Sequence, residues 1–62
     1  MKEIVKILMR RDNISENEAW NLIIDCQEEM NDAIMRGNYQ ECEDILASYL
    51  RLEPDYLDYF LY

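Results

Sequence analysis

Apolar side chains return along this chain at alternating steps of three and four, the period of a helix with one face turned inward. Ile4, Val5, Ile7 and Leu8 form a first stripe, while Lys2, Lys6 and Arg10 recur every four residues on another face. The spacing predicts a helix over about 2–11, its basic last turn suited to the negative end of the helix dipole. Ser15-Glu16-Asn17-Glu18 then has the pattern of a capping box, in which Ser15 accepts from the amide of Glu18 and Glu18 reaches back. Ile14 precedes it where a hydrophobic staple would sit. A long second helix, about 16–36, follows, with a seam of Ala19, Ile23, Cys26, Met30 and Ala33 flanked by Trp20, Leu22, Ile24 and Ile34. Gly37 continues that spacing and is a natural left-handed stop.

Asn38 is placed to cap a third helix over about 39–50. Its expected seam is Tyr39, Cys42, Leu46 and Tyr49, with Ile45 and Leu50 beside it. A link as short as Gly37-Asn38 makes the second and third helices an antiparallel hairpin. Pro54 ends any continuation and fits the first position of a short C-terminal helix over about 54–61, with Asp55 favourable in its first turn. There Leu57, Phe60 and Leu61 share a face and can close the open end of the bundle. Tyr56, Tyr59 and Tyr62 cannot all turn inward on so short a helix, so aromatic surface is expected outside. The predicted fold is therefore all-α, a small bundle of three helices and a short C-terminal helix forming one domain over 1–62. One glycine, one proline and few β-branched runs agree with it.

Charge changes the picture from shape to surface. The chain of 62 residues carries a net −8, unevenly distributed. Residues 1–11 hold Lys2, Lys6, Arg10 and Arg11 against Glu3, a net +3, and everything after them sums to −11. Such a body repels nucleic acid and anionic membrane and attracts basic partners. The reading expects no nucleic acid and no membrane among its partners. A helix-turn-helix outline is present, but its second helix reads SENEAWNLIIDCQEEMN, and repulsion defeats insertion into a DNA groove. No apolar run approaches the ~18 residues of a membrane span. With no secretory leader expected and only Cys26 and Cys42 present, a cytoplasmic location with both thiols free is expected. The two cysteines fall at different heights of the predicted hairpin, which disfavours a disulfide.

Chemistry is mostly excluded. There is no histidine to serve as a base for Ser15, Ser48 or either thiol, and no glycine-rich loop to cradle a phosphate. No catalytic residue, cofactor or dedicated metal site is expected, because helical carboxylates alone rarely close a calcium cage and a di-iron bundle uses Glu-x-x-His. Two constellations remain. Asp25, Glu28, Glu29 and Asp32 stand at i, i+3, i+4 and i+7, an acidic ridge that is either a solvated face or a surface for a basic partner. Tyr56, Tyr59 and Tyr62 are either a plain lid or a second contact surface. Trp20 is read first as core, with an exposed anchor as the alternative.

Several blocks together resemble a family of small acidic helical proteins encoded in bacterial phages and prophages. They are Glu18-Ala19, Gly37-Asn38-Tyr39, Glu43-Asp44-Ile45-Leu46 and Leu52-Glu53-Pro54-Asp55-Tyr56-Leu57. The resemblance extends over about 8–61, and the LEPDYL block is its most specific part. It implies a phage-type, intracellular origin and carries over no catalytic residue. Arg51 departs from the pattern, which usually has glycine there. A left-handed backbone at Arg51 would be strained by ~1 kcal/mol. The functional expectation is a non-enzymatic interaction protein, expected to be a homodimer, that turns its acidic face to a basic or nucleic-acid-binding host protein. The alternative is a structural or assembly module that associates through its aromatic tail.

Overall fold

A computed structural model describes residues 1–61, Leu61 by its backbone alone. The fold is all-α. Helix α1 spans Lys2–Asp12, α2 spans Glu16–Met35 and α3 spans Glu41–Leu50. The short C-terminal helix expected over about 54–61 is present and is built in two parts. A 3-10 turn at Pro54–Leu57 leads into a single α-helical turn, α4, at Asp58–Leu61. The other boundaries fall within two residues of the expected ones.

Helix α2 is the spine of the bundle. Its seam residues Ala19, Ile23, Cys26, Met30 and Ala33 are all buried, as the spacing predicts. Against them lie Ile4, Val5 and Leu8 from α1, and Cys42, Leu46 and Leu50 from α3. Trp20, Ile14, Ile34 and Ile45 pack partly buried around this core. Ser15 caps α2, its hydroxyl accepting from the Glu18 amide at 3.2 Å. The same hydroxyl donates to the Glu18 carboxylate at 3.1 Å, so the side chains close on each other.

The reversal after α2 is a Schellman motif. Gly37 is left-handed at φ 76, its amide donates to the Ile34 carbonyl, and the Asn38 amide donates to the Ala33 carbonyl. This geometry corrects two expectations. Asn38 does not cap α3 with its side chain: α3 begins only after Gln40, with no side-chain cap. The Asn38 and Tyr39 carbonyls instead accept from the Glu41 and Cys42 amides, because two further residues are needed to turn the chain back. Tyr39 therefore precedes the first helical residue and is 64% exposed rather than part of the seam. Tyr49 is also outside the seam, which runs Cys42, Leu46, Leu50 in steps of four and leaves Tyr49 at its edge.

Arg51 does adopt the left-handed conformation, φ 53 and ψ 43, and its amide donates to the Ala47 carbonyl. That reversal turns Leu52 inward, an 8%-exposed core residue that the periodicity did not reveal. Asn13 closes α1 in the same way at φ 55. A cluster ties the two ends together: Arg11 grips Asp12 at 2.8 Å and donates to the Arg51 carbonyl at 3.1 Å, and the Arg51 guanidinium lies 3.6 Å from Asp12. Hydrogen bonding to Arg11 is the main reason the Asp12 carboxyl sits below its usual range, with the Arg11 and Arg51 charges adding to it.

Of the three left-handed positions, Gly37 and Arg51 predict opposite responses. Nothing lies within 4 Å of a Cβ added at Gly37, so Gly37→Ala carries conformational strain alone and should destabilise the fold by ~1 kcal/mol. Arg51→Gly should relieve strain and stabilise by up to ~1 kcal/mol, less the weak exposed contact to Asp12. Urea unfolding of both variants checks the signs.

Candidate interaction surface

The acidic ridge is built by one uninterrupted stretch of α2. Ile23, Cys26, Met30 and Ala33 turn toward the core, so the side chains on the opposite side of the helix turn outward. Asp25, Glu28, Glu29 and Asp32 are accordingly all exposed. At ~1.5 Å of rise per residue the ridge is ~10 Å long. The ion pairs formed among the described residues are Arg11–Asp12, Arg36–Glu41 and Arg51–Asp12. None of them involves a ridge carboxylate. Nor do they join Lys2, Lys6 or Arg10 to acids of α2, a pairing that the charge pattern offers as one fate for the basic stripe. Those cations occupy the outer face of α1, opposite Ile4, Val5 and Leu8, and so are turned away from α2. Among the described residues no three His, Cys, Asp or Glu side chains converge on a point that could hold a metal ion.

Tyr49 borders the ridge from α3, a position that seam counting misread. It is 41% exposed. Loss of hydration, followed by the negative charges of Glu29 and Asp25, raises its phenol above the ordinary value. It therefore keeps its proton and offers a ring and an O–H donor beside two carboxylates. Its signal in the sequence was an aromatic one turn from Leu46 and next to Leu50, which fits the core and its edge equally well.

The aromatic tail is largely engaged within the fold. Leu57 and Phe60 pack partly buried on the core, the lid expected of them. Tyr56 also packs there, and its ring stacks on Tyr59 with centroids 6.0 Å apart. The Tyr59 hydroxyl donates to Glu3 at 3.0 Å, and that bond is the first cause of its raised phenol value. This latches the C-terminal turn onto α1. Tyr59 is still 42% exposed; Tyr62 lies outside the described residues. A cleft of about 310 Å³ separates Phe60 from Gln27, Met30, Asn31 and Ile34 of α2. At the other end, Met35 and Tyr39 project from the α2–α3 reversal as an apolar tip, 86% and 64% exposed.

Both cysteines are free and buried in the α2–α3 interface. The Cys42 thiol faces the Met30 carbonyl at 4.0 Å. Burial, with a smaller contribution from Cys42, pushes the Cys26 thiol from 9.0 to about 11. Neither group is a nucleophile near neutral pH, since the thiolate is the reactive form. Among the described residues no helix is long and apolar enough to cross a membrane.

Compared with known proteins, the chain matches no family model, no curated protein and no solved structure.

Cys26 makes stability depend on alkaline pH. The unfolded thiol ionises near 9.0 and the folded one near 11, so its stabilising contribution is intact below pH 9 and is lost as pH rises through about 11. Urea midpoints at pH 8 and pH 10.5 should show a decline that is smaller in Cys26→Ala.

Proposed function

We propose that this chain is a non-enzymatic interaction protein whose α2 ridge, Asp25, Glu28, Glu29 and Asp32, binds a basic surface on another protein. The observation that supports it is the arrangement of charge. All four carboxylates are exposed on one helix, and the intramolecular ion pairs of the described residues leave them free. A net −8 on so small a body strengthens the field that such a ridge projects. A helix also holds its side chains at fixed intervals, so the carboxylates meet a partner with little ordering still to be done.

The sequence resemblance to phage-encoded proteins gives the target its chemistry. A host protein that binds nucleic acid presents cations spaced to receive phosphates. A row of carboxylates ~10 Å long can occupy part of that surface and so inhibit it. The reading places the protein in the host cytoplasm. The alternative, assembly through the aromatic tail, draws less support. Tyr56 and Tyr59 already stack on each other, and the Tyr59 hydroxyl is bonded to Glu3.

The test separates the ridge from net charge. One variant carries Asp25→Asn, Glu28→Gln, Glu29→Gln and Asp32→Asn. A charge-matched control neutralises the exposed Glu43, Asp44, Asp55 and Asp58. Calorimetry with a helical Lys/Arg-rich peptide should show the ridge variant weakened about tenfold or more and the control only slightly. Wild-type binding should fade by about 0.5 M salt. Equal losses in the two variants, or indifference to salt, would refute the ridge as the binding face.

A further inference from the structure

Among the described residues, cations gather on the outer face of α1 in a strongly anionic chain. Lys2, Lys6 and Arg10 are exposed there, and none is ion-paired with a described residue. They stand on successive turns, ~6 Å apart along the axis, over ~12 Å in all. A shallow depression of about 270 Å³ lies among Glu3, Lys6, Ile7 and Arg10. Within one molecule this face cannot meet the α2 ridge, because α1 packs through its opposite side, Ile4, Val5 and Leu8.

We propose that the α1 face docks on the α2 ridge of a second copy of this chain. The two surfaces are opposite in sign and agree in length to within about one residue's rise. Both repeat at helical intervals, so successive cations of one copy can meet Asp25, Glu29 and Asp32 of the other. Each surface also carries apolar flanks: half-buried Ile7 beside the cations, and 47%-exposed Ile24 one turn from Glu28. The proposal rests on the reading of the ridge as a binding face, and it adds regulation to it. A self-associated copy has its ridge covered, so a basic partner must displace another copy to bind.

Two charges of −8 oppose this contact, and range decides between the effects. With molecular dimensions of 34 × 20 × 19 Å, centres of neighbouring copies lie about 20 Å apart. The Debye length is about 8 Å at 0.15 M salt and about 30 Å at 0.01 M. Near physiological salt the whole-body repulsion is screened, while side chains in contact still attract. At 0.01 M the repulsion reaches across the pair, and at 1 M the contacts themselves are screened. Self-association is therefore strongest at intermediate salt.

Sedimentation equilibrium of the full chain, at concentrations up to about 1 mM and at those three salt levels, tests this. The wild type should exceed its 7.6 kDa monomer mass at about 0.15 M and fall back toward it at both extremes. Lys6→Glu with Arg10→Glu in one variant, and Asp25→Lys with Glu29→Lys in another, should each lower self-association at least about tenfold. An equimolar mixture should restore it, since each surface regains an opposite sign. A wild type that is monomeric at every salt level overturns the proposal however the variants fold, as does association that the charge reversals leave unchanged. A monomeric wild type that still binds the basic peptide through its ridge would sink this inference alone. Peptide binding that ignores the ridge, with charge-swap rescue intact, would sink only the earlier reading.

Discussion

The structure depends on the burial of one seam on α2 against the chain on either side of it. Ala19, Ile23, Cys26, Met30 and Ala33 are the surface that α1 and α3 cover. A chain this short hides only about 60% of its unfolded surface, so it has no second core to fall back on. The seam can be covered by α3 only if the backbone reverses within a few residues of Ala33. Gly37 permits that, and the Ile34 and Ala33 carbonyls left open at the end of α2 accept from the Gly37 and Asn38 amides in the same turn.

The same constraint explains the polar surface. Each helix has one apolar stripe, and that stripe is used once. What lies opposite is left to solvent, and its charges follow from the segment: cations on α1, carboxylates on α2. The contacts that join different helices through charge are few and lie at helix ends, where Arg11 reaches the Arg51 carbonyl and Arg36 reaches Glu41. Such exposed pairs contribute little individually. Their effect is on register: Arg11 holds the end of α1 to the turn after α3, where Leu52 re-enters the core, and Arg36 holds the end of α2 to the start of α3.

The described interior is apolar apart from two thiols. Among the described residues every buried side chain is hydrophobic or a thiol, and no buried polar atom is left unsatisfied. The functional reading therefore falls on the opposed charged faces of α1 and α2, together with the phenol of Tyr49 at the ridge edge.

The helices, the capping serine, the stop at Gly37 and the exposure of Asp25, Glu28, Glu29 and Asp32 were all legible in the sequence. Each is settled within four residues or by a repeat along a single helix, and local spacing is a sufficient physical cause. Tyr39, Tyr49 and Leu52 were not legible in the same way. Tyr39 left the seam because the Schellman turn used two more residues than a side-chain cap would need. Tyr49 went to the ridge edge because the stripe of α3 runs in steps of four once its start is shifted. Leu52 entered the core because a left-handed arginine turned the chain back inward. These outcomes depend on how two helices meet in space, and a one-dimensional period carries no information about where its partner begins.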